Sequence, residues 1–223
     1  MSAETEQLQR SWLANAEAWR DAVRTHGIAS RRLVTDAAIV AAVLEEQPKR
    51  VLDVGCGEGW LARALSERGI AVTGVDASAP LIEAARELGG GEFVVMSYDQ
   101  LAAQPLGSFD AIVANFALLD DRIEALLSAL RSMLAIDGRL IIQTVHPWMA
   151  AGDAYADGWR TETFASMPGQ WPESMPWYFR SIESWSRVLA GAGYPRVVIR
   201  EPMYPDRAVP ASMMFICRGG AQP

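Results

Sequence analysis

The stretch RVLDVGCGEGWLARALSERGIAVTGVD, residues 50–76, decides the fold. Residues 50–55 form an apolar run typical of a strand, residues 58–69 have the pattern of a helix that ends at Gly69, and residues 70–76 form a second apolar run. Both runs are almost continuously apolar, as strands are when helices cover both faces of a parallel sheet. The stretch therefore predicts a β-α-β unit.

The same alternation continues along the chain. Further strands are predicted at residues 92–97, 108–116, 138–147, 196–202 and 211–218, and further helices at residues 4–24, 33–47, 79–90, 121–134 and 181–193. Because a short turn joins the last two strands, we expect them to pair antiparallel. The order predicts an α/β fold with a doubly wound, seven-stranded, mostly parallel Rossmann-like sheet and an antiparallel last strand.

Two segments lie outside this alternation. We predict a single domain over residues 1–223, in which residues 1–47 form an N-terminal helical cap. Residues 147–180 contain four prolines and much of the aromatic content. A segment of this length without regular structure is more often a functional lid than a linker, so we expect a lid-like insertion after the fifth strand.

The composition excludes several classes of protein. Half of the 223 residues are apolar and 21% are charged, which excludes a wholly disordered chain. The formal net charge of −7 disfavours nucleic acid as a partner. No apolar run reaches the roughly 18–20 residues of a membrane span, so we expect no membrane insertion. The polar N-terminus does not resemble a secretory signal, and two cysteines cannot build a disulfide framework, so we expect a cytoplasmic protein. The sequence carries no signal for an oligomeric state.

The candidate site is the glycine-rich turn after the first strand. Gly55 and Gly57 allow a sharp turn and close approach of a ligand, and Asp76 ends the second strand, 21 residues after Gly55. An acid at this distance is typical of a ribose-binding carboxylate. The spacing is G-x-G-x-G rather than the dinucleotide pattern G-x-G-x-x-G, and the Asp53 carboxylate would repel a pyrophosphate. These features favour S-adenosylmethionine, which carries an ammonium and a sulfonium and no phosphate, over NAD or FAD.

Four segments resemble the successive motifs of class I S-adenosylmethionine-dependent methyltransferases. They are VLDVGCGEG (51–59), GVDAS (74–78), SFDAIVANFALL (108–119) and LAIDGRLIIQTVHP (134–147). The resemblance is greatest to the small-molecule type that includes quinone-biosynthesis enzymes. It implies methyl transfer from S-adenosyl-L-methionine to a small-molecule acceptor, with S-adenosyl-L-homocysteine as the product. The antiparallel strand pair at the C-terminus also matches that fold.

The resemblance also implies roles for residues at the cofactor. The turn would form the floor under the cofactor, Asp53 would hold its ammonium group and Asp76 its ribose hydroxyls. An arginine of the cap, Arg31, could pair with the carboxylate of the cofactor; a solvated arginine is the alternative. The full set of expected cofactor-binding residues is Arg31, Asp53, Gly55, Cys56, Gly57, Asp76, Ala77, Ser97, Tyr98, Asn115 and Phe116. Ser97 stands where the family often has an acid that binds adenine, and Tyr98 and Asp99, which follow it, are the alternatives for the adenine contact. Asn115 and Phe116 would lie near the sulfonium.

The prediction of the acceptor-binding residues depends on fewer sequence signals. His146, which ends the fifth predicted strand, would contact or deprotonate the acceptor; anchoring of the turn into Pro147 is the equal alternative. Aromatic walls suit a flat or apolar acceptor, so we expect Trp19, Trp177, Tyr178 and Arg180 to line the pocket. Arg180 could hold an acidic group. Packing of the insertion onto the sheet explains Trp177, Tyr178 and Arg180 at least as well, and a tryptophan such as Trp19 on a helix face is more often part of the core.

Other functions on the same fold remain as alternatives. A protein or nucleic-acid methyltransferase is one; the sequence Asn115-Phe116-Ala117-Leu118 lacks the prolines of base-methylating enzymes. A nicotinamide-dependent oxidoreductase is disfavoured by the glycine spacing, and a non-catalytic S-adenosylmethionine-binding module is a further alternative. Asp120 and Asp121 follow the fourth strand, but acids there usually cap a helix, so we expect no metal.

Overall fold

A computed structural model describes residues 2–152 and 154–218. Among these residues there are nine strands: β1 Arg50–Val54, β2 Ala71–Asp76, β3 Glu92–Val95, β4 Phe109–Asn115, β5 Leu134–Thr144, β6 Gly158–Glu162, β7 Met175–Phe179, β8 Arg196–Arg200 and β9 Met213–Arg218. Seven of them form one sheet in the order β3-β2-β1-β4-β5-β9-β8. Among the first five strands in this order, from β3 at the edge to β5, neighbouring strands pair in parallel. Strand β9 pairs antiparallel with both β5 and β8. The predicted fold class is confirmed.

Helices cover both faces of the sheet. They are α1 Ala3–Ala14, α2 Ala16–Arg24, α3 Asp36–Leu44, α4 Trp60–Ser66, α5 Ala79–Leu88, α6 Tyr98–Ala103, α7 Glu124–Ser132, α8 Pro147–Ala150 and α9 Ile182–Gly191. Because side chains alternate along a strand, Leu52 of β1 packs with α6, α7 and α9, whereas Val51 packs with α3, α4 and α5. Asp53 shares the face of Val51 and therefore lies on the α3 side.

The prediction of one continuous helix over residues 4–24 is wrong. The helical segment is divided at Asn15, whose backbone leaves the helical region (φ −94°, ψ 8°). The buried Asn15 amide donates to Ser11 Oγ (3.0 Å) and to the Glu173 carbonyl (2.7 Å), and its Oδ1 accepts from the Glu173 N–H (3.2 Å). These bonds fasten the cap to the insertion, so a tertiary contact overrides the helical periodicity.

Several predicted boundaries also differ from the structure. The helix predicted at residues 33–47 begins as a π-helical turn, Arg31–Thr35, and continues as α3 only to Leu44. The strand predicted at residues 138–147 begins at Leu134, which pairs with Phe109 ahead of an irregularity in the register. Helix α6 was not among the predicted helices. It has a capping box, in which the Ser97 hydroxyl accepts from the Gln100 N–H and the Gln100 side chain accepts from the Ser97 N–H.

The insertion after β5 contains regular structure that the sequence did not predict. Strands β6 and β7 form an antiparallel hairpin in which Trp159 faces Tyr178. The Tyr178 N–H donates to the Leu119 carbonyl (2.8 Å), which attaches the hairpin to the loop after β4. The insertion therefore lies at the carboxyl end of the sheet, beside the cap. In the two described ranges, no helix combines the length and apolar character needed to cross a bilayer.

Candidate functional site

The glycine-rich turn joins the ends of β1 and β2. The N–H groups of Gly55 and Cys56 both donate to the Val75 carbonyl (2.8 and 3.0 Å). Gly55 and Gly57 have φ values of +73° and +56°, a region that favours glycine. A Cβ on Gly55 would lie 2.5 Å from the Ala117 Cβ, whereas a Cβ on Gly57 would meet no atom within 4 Å. Gly55 is thus packed against the loop after β4, and Gly57 faces open space.

A buried acid within this turn was missed by the sequence analysis. Glu58 is 2% exposed, and its carboxylate accepts two hydrogen bonds from Arg63 of α4 (2.6 and 2.7 Å) and one from Arg24 of α2 (3.1 Å). Two arginines from different helices compensate the buried charge, as such a group requires. Glu58 therefore fixes the turn and joins it to the cap. A charged residue between two glycines was its only signal in the sequence.

Asp76 is held at the end of β2 by two backbone donors. Its Oδ2 accepts from the Gly57 N–H (2.9 Å) and its Oδ1 from the Ser78 N–H (2.8 Å). Burial raises the pKa of Asp76, and these two hydrogen bonds oppose the rise. Ala77, the next residue, is exposed. The carboxylate is thus fixed in orientation beside the turn, where each oxygen retains capacity for a further donor.

Asp53 and Arg31 each have a buried polar atom without a hydrogen-bond partner. Asp53 is 2% exposed and its Oδ2 has no hydrogen-bond partner. Burial and the nearby Asp76 raise the pKa of Asp53 to about 7, and the charge of Arg31 opposes this shift. Arg31 Nε donates to Asp36 Oδ1 (3.0 Å), and the guanidinium lies over the Trp60 ring, while its buried Nη2 has no partner. A ligand with both an ammonium and a carboxylate would satisfy both atoms.

The three candidates for an adenine contact have different positions, and Asp99 is exposed. The Ser97 hydroxyl is engaged in capping α6. The Tyr98 hydroxyl donates to the Ala117 carbonyl (2.8 Å), and it would lie 3.4 Å from a Cβ on Gly55. Burial, together with nearby carboxylates, raises the pKa of Tyr98. Tyr98 thus connects the loop after β3 with the loop after β4, next to the glycine-rich turn.

The end of β4 is linked to the cap through Gln143 of β5. The fully buried Gln143 side chain donates to the Asn115 Oδ1 (2.8 Å) and to the Thr35 carbonyl (3.0 Å), and its Oε1 accepts from the Ser212 hydroxyl (3.3 Å). Phe116 has a φ of +52°, which is uncommon for a bulky residue. Strained backbone of this kind is often found at functional sites. The sequence analysis did not identify Gln143.

His146 lies just beyond the end of β5. Its side chain is 3% exposed, and Nε2 lies 2.7 Å from the Glu201 Oε1. The buried Nδ1 has no hydrogen-bond partner. Glu201 follows β8, so its contact with His146 spans β9. The sequence analysis did not identify Glu201.

The four predicted pocket residues fall into two groups. Trp19 lies in an aromatic cluster, where its ring is 5.3 Å from that of Trp12 and 4.8 Å from that of Trp171. Trp177 packs against the same cluster. Tyr178 points to the opposite face of β7, because neighbouring side chains in a strand alternate. The Arg180 guanidinium packs over the rings of Tyr178 and Trp185, and burial lowers its pKa.

Comparison with known proteins identifies the family. A family model described as "Methyltransferase domain" matches residues 24–197, which is most of the chain. The chain belongs to this family. A ubiquinone biosynthesis O-methyltransferase of Xanthomonas axonopodis pv. citri is 37% identical over 119 residues, covering 50% of this chain and 49% of the relative. An uncharacterized methyltransferase of Schizosaccharomyces pombe is 29% identical over 154 residues, covering 65% and 58%. The chain thus spans about half the length of the curated relatives it matches.

Solved structures of methyltransferases share the fold. A DhpI-SAM-HEP complex superposes with a TM-score of 0.68 at 22% identity and covers 98% of this chain and 99% of that one. An S-adenosylmethionine dependent methyltransferase from Mesorhizobium loti gives a TM-score of 0.65 at 21% identity, with coverage of 86% and 98%. The expected class I methyltransferase architecture is therefore confirmed over nearly the whole chain.

Proposed function

We propose that this chain is an S-adenosylmethionine-dependent methyltransferase that acts on a small-molecule acceptor. The observation that carries the proposal is the pair of buried, unpartnered atoms on Asp53 and Arg31. A free carboxylate oxygen and a free guanidinium nitrogen suit the ammonium and carboxylate of an amino acid. The buried Asp53 carboxylate also disfavours a pyrophosphate.

The other residues of the site fit the remainder of the same cofactor. Asp76 would accept the ribose hydroxyls, because its two bonds to backbone N–H groups fix its orientation and leave acceptor capacity. The open space at Gly57 would let the backbone approach the ligand. Tyr98 would lie beside the adenine. The Ser97 hydroxyl is engaged in capping α6, which supports Tyr98 rather than Ser97 in this position. Asn115 and Phe116, at the end of β4, would border the reacting centre.

On the acceptor side, the residues would position a nucleophile rather than form a covalent intermediate. S-adenosylmethionine supplies an electrophilic methyl group when bound. Positioning the acceptor in line with that group accounts for much of the catalysis expected here. Trp19 and Trp177 would form an aromatic roof, and His146 would face the acceptor. The Arg180 guanidinium packs over the rings of Tyr178 and Trp185, and its buried Nη1 and Nη2 have no hydrogen-bond partner, so Arg180 would hold an acidic group of the acceptor. The free, buried thiols of Cys56 and Cys217 support a cytoplasmic location.

Calorimetric titration with S-adenosylhomocysteine and with NADH tests the proposal. We expect binding of S-adenosylhomocysteine and none of NADH. Asp53→Asn should weaken the affinity at least tenfold at pH 8, because it replaces an ammonium-binding carboxylate by a neutral amide. Asp206→Asn, which changes an exposed carboxylate in a turn, is the matched control and should bind normally. Tight binding of NADH by the wild type, or equal S-adenosylhomocysteine affinity of Asp53→Asn, would refute the assignment.

A further inference from the structure

The interaction between His146 and Glu201 defines which nitrogen of the imidazole ring is free. The Glu201 carboxylate, on a side chain 54% exposed, can only accept a hydrogen bond, so the Nε2 atom 2.7 Å away must carry the proton. In the neutral ring Nδ1 then holds a lone pair. This nitrogen is buried and has no partner in the structure. Burying an acceptor atom of this kind costs free energy unless a donor forms a hydrogen bond with it.

The ring is not needed to anchor the turn after β5. His146 occupies the N-cap position of α8, but its side chain makes no capping hydrogen bond. The turn is held by its backbone carbonyl, which accepts from the N–H groups of Met149 and Ala150 (3.0 and 2.9 Å). The contacts of the imidazole therefore require a different explanation.

The cation nearest in sequence to Glu201 is already engaged. Arg200 donates through Nη2 to Glu45 Oε2, at the end of α3 (2.9 Å), and the two side chains form an ion pair. Arg200 therefore does not neutralise Glu201. Of the charged groups on β8 and α3 that face this region, Glu201 is the one hydrogen-bonded to the histidine ring.

We propose that Glu201 is the positioning residue of His146 and that the acceptor group is a hydroxyl. This inference rests on the proposed function. Glu201 fixes the ring by accepting the Nε2 proton, and Nδ1 takes the proton of the acceptor hydroxyl. The hydroxyl oxygen uses an electron pair to form the new O–CH₃ bond as the S–CH₃ bond breaks. The electrons of that bond stay on sulfur, which leaves a neutral thioether and an imidazolium that Glu201 stabilises.

Histidine-selective NMR tests the positioning role without an acceptor. The chain has two histidines, so ¹⁵N-histidine labelling gives His146 and an internal control, His26. In the protein saturated with S-adenosylhomocysteine, the neutral His146 ring should carry its proton on Nε2. In Glu201→Gln, the fraction of the neutral ring that is protonated on Nε2 should fall, because an amide can donate as well as accept. The substitution should fold, because Glu201 is half exposed and borders a cavity of about 320 Å³. Protonation of the wild-type ring on Nδ1, or an unchanged tautomer ratio in Glu201→Gln, overturns the positioning role.

Methyl transfer to catechol, phenol, ethanol and aniline tests the acceptor class. We expect transfer to at least one hydroxyl compound, a fall in kcat of about 100-fold in His146→Asn and of about tenfold in Glu201→Gln, and little change in KM. Glu67→Gln, an exposed control, should match the wild type. Exclusive methylation of aniline, or no transfer to any hydroxyl, overturns the hydroxyl assignment, as does full activity of His146→Asn. Loss of S-adenosylhomocysteine binding in the wild type would instead refute the proposed function.

Discussion

Replacing Asp53 by asparagine should stabilise the ligand-free protein at neutral and alkaline pH. The carboxyl is 2% exposed, and its pKa is raised from 3.8 to about 7, first by burial and then by Asp76. An acid with a raised pKa in the folded state holds its proton there after the unfolded chain has lost it. The resulting loss in the free energy of unfolding is absent below about pH 4, grows as the pH rises, and is complete above about pH 7.

The size of the effect follows from the pKa shift. At roughly 1.4 kcal/mol per pKa unit, the rise to about 7 corresponds to a penalty of about 4 kcal/mol above neutrality. Urea denaturation of the wild type and Asp53→Asn, each without ligand, should be measured between pH 4 and pH 8. The difference in their free energies of unfolding should grow in favour of Asp53→Asn by several kcal/mol over this range. A difference that is independent of pH would refute the argument that an ionised, poorly compensated carboxylate occupies this position.

The same shift makes ligand binding dependent on pH. An ammonium group binds the ionised form of Asp53, so below pH 7 the affinity of the wild type for S-adenosylhomocysteine should fall by up to about tenfold per pH unit. The affinity of Asp53→Asn should be weak and nearly independent of pH. Calorimetry in buffers of different ionisation enthalpy should also detect proton release on binding to the wild type near pH 6. Absence of proton release would contradict the link between Asp53 and the ligand.

Four further substitutions test separate parts of the structure. Asn15→Ala should destabilise the protein by about 2 kcal/mol and accelerate proteolysis of the insertion, because three hydrogen bonds of the buried amide are lost; unchanged urea unfolding would contradict this. Gly57→Ala should fold with a small loss of stability yet bind S-adenosylhomocysteine at least tenfold more weakly, whereas Gly55→Ala should lose more stability in thermal unfolding because its Cβ meets that of Ala117. Tyr98→Phe should cost about 1–3 kcal/mol in urea unfolding, because the Ala117 carbonyl loses its partner.

The sheet could be predicted because its signals are local. Each strand is a short apolar run, and glycines such as Gly69 and Gly89 stop the helices between them. Helix α6 also had a local signal, the Ser97 to Gln100 capping box, which the sequence analysis missed. The division at Asn15 had no such signal, because the apolar spacing from Leu8 to Trp19 continues across it. The hairpin of β6 and β7 depends on packing against the cap and on the loop after β4, which local composition does not contain.

The same distinction separates the site residues that were predicted from those that were missed. The glycines, Asp53 and Asp76 lie in two short motifs at strand ends, where residue type and spacing specify the chemistry. Gln143 contacts the Thr35 carbonyl across 108 residues of sequence, and His146 contacts Glu201 across 55. A buried glutamine or an exposed glutamate has no distinguishing pattern of its own. These partners become identifiable only when the topology β5-β9-β8 brings their strands together.

Three local costs of this fold lie at the carboxyl ends of β1, β4 and β5. There Asp53 is buried without a donor on Oδ2, Phe116 is held at a positive φ, and the His146 Nδ1 lacks a partner. Each feature opposes folding of the ligand-free chain, and packing of the two core layers must compensate for them. Glu58, in the glycine-rich turn, shows that the chain can satisfy a buried carboxylate completely, with two arginines. The contrast between Glu58 and Asp53, five residues apart, supports the proposal that a ligand satisfies the Asp53 charge.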